Sequence, residues 1–551
     1  MICILHGYLL EGSGSNLWTR CVVESLCAEG HTVQLVCQEP YPDRYDCIAE
    51  AYRYHEDGRV EPMFAPRAVP YAGRCIMHKP QLGDTLPVYV WDKYDEFANV
   101  VPMVNLGDEA IESYVERNAG VVQRVVEERG VTAMHANHAV LMSVVAQRVS
   151  ARTGVPYAIM PHGSALEYAV KPDPRFHAYA TSAFSGAGHI FVHGEEMRSR
   201  VATILPAVAD LNEKFSVLPL GVHTAQFAPV PRERRREKMG RLWSALSDLP
   251  RGRRPGQLLD MLDRVRAATD TESLRVALTS ITYETKAPDE DVEEKLQQID
   301  WEHDAVLLYV GRLISAKGVQ SGLAALPLIL ARDPGVRLLL VGHGPLREPM
   351  EAFVWALEQG DRALAERIVE CGRLLEGDPD GAGGSQSLGK VKSFFQDLQS
   401  RGELDAYFET AKKHVRRDRV IFTGYLTHRE LQFLFPCCDA GIFPSIVKEA
   451  GPLVFLESLA SGCFPLGTYF GGMKASIDAI ADLFPPHVAA AMKLNPFDTV
   501  ADIAENVSTA LRFGIRYKDV LSRTAQERYD WTSVGRRLVH ELDALSADRA
   551  S

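Results

Sequence analysis

Two glutamates, Glu449 and Glu457, flank a stretch with the composition of a loop entering a helix. It begins with the turn-forming residues Ala450-Gly451-Pro452 and becomes apolar from Leu453 to Leu456. A helix that begins after such a turn presents unpaired backbone N–H groups and the positive end of its dipole, and both can bind an anion such as a diphosphate. Glu457 is expected about two turns inside this helix, where it can face a polar group such as a ribose. A buried helix with two exposed acids explains the isolated pair equally well.

Two cations, Arg312 and Lys317, bracket a loop that follows a predicted strand at residues 306–310. Arginine offers a bidentate fork and lysine a point charge, and together they suit a diphosphate. Two unrelated surface cations are the alternative. A predicted helix and a second strand at residues 337–341 follow. This order of strand, loop, helix and strand is that of a Rossmann-like unit.

The first residues of the chain predict the same order, with a glycine-containing loop, Gly12 to Asn16, between the first strand and the first helix. Glycines there allow a ligand to approach the backbone, although the spacing is not G-x-G-x-x-G and a plain tight turn fits as well. His162 follows a predicted strand, at the edge where open parallel sheets bind ligands. A strand-end histidine bonded to backbone is the alternative, and we expect that alternative for His135 and His138.

Composition restricts the class of protein. The 551 residues are too many for one core and should form at least two domains. A net charge of −12 argues against a nucleic-acid partner. The ten cysteines lack zinc-site spacing and are predicted to be reduced, mostly packed thiols. Because no signal-like start and no apolar run of about 18 to 20 residues is present, we expect a cytoplasmic protein without a transmembrane segment.

Three stretches interrupt the regular pattern. Residues 47–104 predict irregular loops and short strands, where Trp91 to Tyr94 could line an acceptor pocket, with a surface aromatic cluster as the favoured alternative. The basic run after residue 228 predicts solvated helix faces, a partner or phosphate contact being the minority interpretation. Two D-x-D strings, at residues 289–291 and 378–380, lie in an acidic run and a glycine-rich loop. We therefore expect no metal site.

Taken in order, these pieces resemble the retaining GT-B glycosyltransferases, specifically glycosyltransferase family four. The matching motifs are Gly12 to Asn16, Pro161-His162-Gly163, residues 218–222, residues 309–313 with Lys317-Gly318, residues 341–345, residues 422–424, Pro444-Ser445, the Glu449/Glu457 stretch with Gly471-Gly472, and a terminal helix containing Trp531. They cover most of the chain outside two insertions. Each motif is loose, and their common order and spacing make the resemblance specific.

The resemblance implies an α/β protein of GT-B fold, in which two Rossmann-like domains face each other across a cleft. We expect an amino-terminal acceptor-side domain at residues 1–225, onto which a C-terminal helix at 520–545 packs back. A nucleotide-sugar domain is expected at residues 301–519. Helical insertions are expected at residues 226–300 and, within the second domain, at 351–415.

The resemblance also implies roles for individual residues. By position, Arg312 and Lys317 resemble the pair that neutralises the nucleotide diphosphate. Glu457 resembles the ribose ligand, and Glu449 and His162 resemble residues beside the donor sugar. All of these except Glu457 are expected to be catalytic. The other expected donor-binding residues are Gly12, Gly14, Asn16, Gly311, Gly342, Gly344, Tyr425, Gly451, Leu453 and Val454.

The implied activity is retaining transfer of a hexosyl unit from a nucleoside-diphosphate sugar to a small hydroxyl or glycan acceptor. A UDP-sugar is the favoured donor and GDP-mannose the next, with no metal or other cofactor. The rival interpretations are a GT-B sugar phosphorylase, a nucleotide-sugar epimerase, and a catalytically silent nucleotide-sugar-binding protein. A peripheral membrane contact and a homo-oligomer are both compatible with the sequence.

One departure from the family pattern concerns the donor sugar. The family usually reads E-P-F-G-L-V where this chain has Glu449-Ala-Gly-Pro-Leu-Val454. Proline at position 452 has no N–H. A backbone donor often offered to a sugar hydroxyl is therefore absent, which bears on the identity of the donor sugar more than on the reaction class.

Overall fold

The computed structural model describes residues 1–11, 13–83, 85–89, 97, 99–281, 286–376, 388–449 and 451–547. The chain forms two compact units. The amino-terminal unit contains Met1–Gly221 together with Arg528–Ser551, and the carboxyl-terminal unit contains Val222–Glu527.

The amino-terminal unit is built on a nine-stranded sheet of order β11-β10-β9-β8-β1-β2-β5-β3-β4. Its pairings are parallel except for the antiparallel β3 and β4, and β6 and β7 form a separate pair. The strands are β1 (Ile2–Leu5), β2 (Thr32–Val36), β3 (Ile48–Tyr54), β4 (Val60–Pro62), β5 (Arg74–Pro80), β6 (Thr85–Val88), β7 (Asn99–Pro102), β8 (Ala133–Asn137), β9 (Tyr157–Met160), β10 (His189–Val192) and β11 (Phe215–Val217). Along the chain, the strands after β1 are placed first on one side of it, at β2, and later on the other side, at β8. Ligands of open parallel sheets bind at such a reversal of strand order, the switch point.

Helices connect these strands. They are α1 (Gly14–Ala28), α2 (Asp108–Arg129), α3 (Met142–Thr153), α4 (Gly163–Ala165), α5 (Pro174–Gly186), α6 (Glu195–Ile204) and α7 (Leu211–Lys214). The predicted amphipathic helix at 108–128 is confirmed as α2, whose Ile111, Val115 and Val122 are buried.

The interpretation of residues 47–104 as loops and short strands is wrong for part of this stretch. β3 and β5 have seven residues each and both belong to the main sheet. Most of β5 is buried, so its sequence lacks the alternation of polar and apolar residues that marks a half-exposed strand. Trp91 to Tyr94 lie outside the described residues.

The carboxyl-terminal unit has a six-stranded parallel sheet of order β14-β13-β12-β15-β16-β17. Its strands are β12 (Ala305–Val310), β13 (Val336–Val341), β14 (Val420–Gly424), β15 (Ala440–Phe443), β16 (Phe464–Thr468) and β17 (Lys493–Leu494). This is the strand order of a doubly wound nucleotide-binding sheet. The switch point lies between β12 and β15, which are followed by the cationic loop and by the Glu449 stretch.

The helices of this unit flank the sheet and fill the two predicted insertions. They are α8 (Arg235–Leu246), α9 (Pro255–Ala267), α10 (Thr271–Thr279), α11 (Val292–Gln297), α12 (Val319–Arg332), α13 (Arg347–Gln359), α14 (Arg362–Cys371), α15 (Gly389–Ser400), α16 (Leu404–His414), α17 (His428–Leu434), α18 (Leu453–Ser461), α19 (Gly471–Asp478), α20 (Pro486–Ala491), α21 (Thr499–Arg512) and α22 (Lys518–Tyr529).

Two arginines of the basic stretch are buried, so the prediction of solvated helix faces is wrong for them. Nη2 of Arg235 lies 2.8 Å from Oδ1 of Asp439. Nη1 of Arg253 lies 2.8 Å from Oε1 of Glu351. Buried cations need such partners, and these partners are 204 and 98 residues away in sequence. The pairs join the stretch after residue 228 to the rest of the carboxyl-terminal unit.

The last helix, α23 (Trp531–Ala547), belongs to the amino-terminal unit although it follows the other unit in sequence. Leu538 and Leu542 enter the same core as Trp18. The Ser25 hydroxyl donates a hydrogen bond to the Trp531 carbonyl oxygen at 2.9 Å, so α1 and α23 pack closely.

The ten cysteines are free and buried, as predicted. Within the part of the chain that the structure describes, no helix combines the length and the apolar character needed to cross a bilayer.

Candidate active site

The loop after β12 is held against the loop after β15 by backbone contacts. Gly318 has a φ of +74°, and a Cβ there would lie 1.9 Å from the carbonyl oxygen of Pro444. The Ile446 N–H donates to the Ala316 oxygen at 2.9 Å. Only glycine permits this approach. The contact brings the predicted cations and the Glu449 stretch to the same edge of the sheet.

Lys317 and Glu449 form an ion pair there. Nζ of Lys317 lies 2.8 Å from Oε1 of Glu449, and both side chains are partly buried. Arg312 is exposed and has no ion pair with any described acid. The structure thus brings together these three predicted catalytic residues of the carboxyl-terminal unit, with Lys317 oriented by Glu449 and Arg312 available for an anion.

A buried tyrosine supports the loop that carries the cations. The Tyr309 hydroxyl donates to the Arg312 oxygen at 3.1 Å. Burial raises the pKa of Tyr309, and the nearby charge of Glu449 raises it further. The hydroxyl therefore stays protonated and remains a donor.

The insertion at 351–415 also contacts this loop. The Ser315 hydroxyl donates to Oε2 of Glu376 at 2.9 Å, and the Ser315 backbone N–H donates to Oε1 of the same carboxylate. One insertion residue therefore holds the segment between Arg312 and Lys317. The glycine-rich loop that follows, Gly377 to Gly384 with its D-x-D string, lies outside the described residues.

Helix α18 begins at Leu453 with Pro452 as its N-cap residue. Glu457 is the fifth residue of the helix, so the prediction of two turns is wrong and Glu457 lies about one turn inside. The described residues before Pro452 are not helical. The first N–H groups of the helix, on the predicted ligands Leu453 and Val454, have no acceptor within the helix. Gly451 precedes them and is partly buried.

Glu457 is the most informative acid of this unit. Its side chain is 5% exposed and Oε1 contacts Nδ1 of His428. Oε2 is buried and has no hydrogen-bond partner among the described residues. Leaving a buried carboxylate oxygen unpaired costs free energy. Oε2 is therefore suited to a hydroxyl group of a ligand.

Sequence reasoning missed His428. Its position could have been found from Thr427-His428-Arg429-Glu430, which forms a capping box in which Thr427 and Glu430 cap α17. This cap places His428 at the first position of the helix, just after β14. The histidine orients the carboxylate of Glu457.

The predicted donor-binding glycines of the carboxyl-terminal unit lie where strands β12 and β13 end. A Cβ on Gly342 would lie 1.8 Å from the Gly311 oxygen, and one on Gly344 would lie 2.5 Å from the Leu313 oxygen. Glycine at 342 and 344 is thus needed for packing of the two loops. Tyr425 lies after β14, with its ring 5.2 Å from that of His343.

In the amino-terminal unit, Gly14 is the first residue of α1 and Ser13 is its N-cap. Asn16 is buried, and its side chain is engaged within the protein. Its Oδ1 lies 3.0 Å from Nε2 of His6, and its Nδ2 donates to the Glu11 oxygen. Asn16 therefore holds the loop, while Gly14 is exposed. Gly12 lies outside the described residues.

Gly14→Ala is expected to weaken donor binding without loss of stability. A Cβ at Gly14 meets no atom within 4 Å, so the fold should tolerate it. If a phosphate approaches the backbone there, the added methyl group should raise KM for the donor by about 5- to 150-fold, which corresponds to the ~1–3 kcal/mol cost of overpacking. Gly120→Ala in α2, equally open, is the control. An unchanged KM in the Gly14 variant would remove this glycine from the site.

His162 lies in a cluster of buried imidazoles at the switch point of the nine-stranded sheet. The ring centroids of His138 and His162 are 4.7 Å apart, and those of His162 and His193 are 6.0 Å apart. His6 stacks on His138 at 5.8 Å. Neighbouring strand ends supply these rings, which is why no local spacing in the sequence reveals the cluster.

The expected backbone bonds of His135 and His138 are not formed. Nε2 of His135 lies 3.3 Å from Oδ1 of Asn137. Neither ring nitrogen of His138 has a partner among the described residues, and its φ is +74°. Nε2 of His162 also faces Oδ1 of Asn137, at 3.2 Å. One buried amide thus contacts His135 and His162, whereas His6 and His193 contact the main-chain oxygens of Leu9 and Leu218.

The cluster is uncharged at neutral pH. Burial lowers the pKa of His6, His135 and His193 to about 4. The pKa of His162 and His138 lies well below the usual 6.5. Burial is the larger cause, and repulsion from neighbouring imidazoles is the smaller one. His162 is therefore a neutral hydrogen-bonding group.

The two units define a class of protein. One is built on a parallel sheet and the other on a largely parallel one, each with candidate residues gathered at a reversal of strand order, and the final helix belongs to the first unit. This is the fold of the GT-B glycosyltransferases, as predicted.

Comparisons with known proteins agree with this class. Residues 400–490 match the family described as glycosyl transferases group 1. Sucrose-phosphate synthase from Thermosynechococcus elongatus is similar in structure, with a TM-score of 0.51, 14% identity, and 99% of each chain covered. The Anabaena protein HepE, in a structure with UDP-glucose, has a TM-score of 0.50 and 12% identity, covering 99% of this chain and 100% of that chain.

A curated relative matches over a shorter stretch. Glycogen synthase of Mycobacterium tuberculosis is 26% identical over 173 residues, which are 31% of this chain and 28% of that protein's length. The resemblance to group 1 glycosyltransferases of GT-B fold is thereby confirmed. The narrower assignment to family four stays a prediction.

Proposed function

We propose that this protein transfers a hexosyl unit from a UDP-sugar to a hydroxyl acceptor, with retention of anomeric configuration. The supporting observation is the buried carboxylate of Glu457, a residue that lies about one turn after the start of α18. Its Oε2 has no hydrogen-bond partner among the described residues. We assign it to the ribose. The UDP-glucose complex of the similar Anabaena protein favours uridine over guanosine.

The diphosphate is assigned to the loop after β12 and the start of α18. Arg312 and Lys317 supply positive charge, and the helix dipole adds to it. Negative charge develops on the departing nucleoside diphosphate during transfer, so preorganised cations lower the barrier. Since these groups supply the charge stabilisation, we propose that no metal is required. Addition of a chelator should then leave turnover unchanged.

The reaction is proposed to proceed on one face of the sugar. The bond between the anomeric carbon and the β-phosphate oxygen breaks, and a bond to the acceptor oxygen forms on the same face. The acceptor proton passes to the departing phosphate oxygen. Glu449, oriented by Lys317 at 2.8 Å, and His162 keep the roles that the resemblance implies beside the donor sugar.

Glu457→Gln is expected to weaken UDP binding through loss of the ribose contact. A hydrogen bond to a charged group contributes about 1.5–3 kcal/mol, or roughly 10- to 100-fold in Kd. Titration calorimetry with UDP and with a UDP analogue lacking the ribose hydroxyls should show that the wild type prefers UDP. The glutamine variant should lose most of that preference.

Glu370→Gln is the matched control. Glu370 lies in the same unit and pairs with Lys392 at the surface. It should bind UDP as the wild type does. If the Glu457 variant discriminated between the two ligands as strongly as the wild type, the ribose assignment would be wrong. If neither nucleotide bound the wild type, the proposed donor would be wrong.

A further inference from the structure

A single buried amide, Asn137 at the end of β8, connects two histidines of the amino-terminal cluster. Its Oδ1 lies 3.3 Å from Nε2 of His135 and 3.2 Å from Nε2 of His162. Its Nδ2 donates to Oγ1 of Thr19 at 2.8 Å and lies 3.5 Å from Nδ1 of His6. The amide side chain therefore has partners on both sides.

These partners determine which end of the amide is oxygen. The Thr19 hydroxyl lies 2.9 Å from the Ser15 oxygen and 3.1 Å from Nδ1 of His6, and when either takes its proton the Thr19 oxygen accepts from the amide nitrogen. Nε2 of His6 faces two oxygens, those of Leu9 and of the Asn16 side chain, each at 3.0 Å. It must carry the proton, which leaves Nδ1 of His6 as an acceptor. The amide nitrogen thus points toward Thr19 and His6.

The amide oxygen consequently faces His135 and His162, and an oxygen of this kind can only accept. Both imidazoles must therefore carry their proton on Nε2. For His162 this leaves the lone pair on Nδ1. At Nδ1, a neutral imidazole of this tautomer can accept a hydrogen bond from a ligand hydroxyl but cannot donate one.

We infer that Asn137 is a positioning residue that fixes His162 as the Nε2–H tautomer, so that Nδ1 accepts a hydrogen bond from a hydroxyl group of the bound sugar. The ligand part of this inference rests on the proposed function. The tautomer part rests only on the contacts of Asn137.

The surroundings of His162 keep the ring neutral. The titratable groups that act on it are His138, His193, His6 and His135, in that order; all are imidazoles, and all except the partly buried His193 are buried. The Trp18 ring lies edge-on at 6.2 Å. Protonation of any of these neighbours would oppose protonation of His162, so the ring keeps its single proton on Nε2 across the neutral range.

Nitrogen NMR of the wild-type protein with labelled histidine tests the tautomer directly and needs no substrate. The His162 signals are identified by their loss in His162→Gln. We expect a protonated Nε2 and an unprotonated Nδ1 at pH 7.5. A protonated Nδ1 would overturn the inference, whatever the activity of the protein.

Asn137→Asp tests the consequence for catalysis. The new carboxylate can still accept from both histidines but stabilises their charged forms, so His162 should become protonated on both nitrogens in mildly acidic solution. Below the raised pKa of His162, the variant's kcat/KM should fall about tenfold for each pH unit. The pH profile of the wild type should lack this acidic decrease. Above the raised pKa the variant's kcat/KM should no longer depend on pH, since the ring is neutral again.

The buried pair of Gln34 and His78 offers a matched control. Oε1 of Gln34 lies 2.8 Å from Nε2 of His78, and both residues are buried in the same unit. Gln34→Glu places a carboxylate beside a buried imidazole away from His162 and should share any loss of stability. Its His162 signals and pH profile should match the wild type. The same acidic limb in both variants would contradict a specific role for Asn137.

Discussion

Lys317→Ala is expected to lower kcat by about 10²–10³-fold, the effect of removing one preorganised charge-stabilising donor from an active site. The side chain is partly exposed, and its contact is the ion pair with Glu449 at 2.8 Å. The fold should therefore survive its removal. The loss should appear in kcat more than in donor KM, because the charge that Lys317 neutralises grows as the leaving group departs.

Two further variants separate the charge from the ion pair. Lys317→Ala leaves the negative charge of Glu449 without its partner. The double variant with Glu449→Gln removes that charge as well, and so shows how much of the loss in kcat comes from the unpaired carboxylate. Lys474→Ala, which removes an exposed lysine paired with Asp478 in the same unit, is the control. Turnover near the wild-type rate in the Lys317 variant, with the control unaffected, would remove the diphosphate assignment.

Acidification from pH 7.5 to pH 5 is expected to destabilise the amino-terminal unit by several kcal/mol. Burial holds the pKa of His6, His135 and His193 at about 4 and that of His78 at about 3. In the unfolded chain these groups titrate near 6.5. A lowered pKa in the folded state means that the stabilising effect is complete above pH 6.5 and is lost as the pH falls toward 4.

The size of the loss in stability follows from the difference between the folded and unfolded pKa values. Each such histidine lowers the free energy of unfolding by about 2 kcal/mol at pH 5 relative to neutral pH. Four of them approach the total stability of a typical domain, about 5–15 kcal/mol. Urea unfolding at several pH values, followed by a probe in each unit, should show the amino-terminal unit losing stability first. An amino-terminal unit equally stable at pH 7.5 and pH 5 would show that these imidazoles take up protons as readily in the folded state as in the unfolded chain, and would contradict the lowered pKa values.

The local features of the site could be predicted from the sequence. The turn before Leu453 and the apolar helix after it are set by neighbouring residues, although Glu457 lies one turn inside that helix and not the expected two. The same holds for the cations at 312 and 317, since both lie in the loop after one strongly apolar strand, β12. These features need only hydrophobic patterning and turn chemistry.

Features that depend on tertiary pairing could not be predicted. His6, His138, His162 and His193 each follow or end a different strand, and only the order of strands in the sheet brings them together. The local sequence predicts a solvated Arg235, because its partner, Asp439, lies 204 residues away. Glu376 and Asn137 have no local pattern at all. Their roles follow from contacts that no spacing encodes.

The most direct test of the account is acceptor-dependent release of nucleoside diphosphate from UDP-glucose. The purified protein is incubated with UDP-glucose and, in turn, with free hexoses, hexose phosphates and linear oligoglucans. Proton NMR then reports the anomeric configuration of any product. We predict UDP release that depends on one class of acceptor, with an α-linked product. UDP-glucose left intact with every acceptor would exclude glucose as the transferred sugar, and a β-linked product would contradict the proposed retaining transfer.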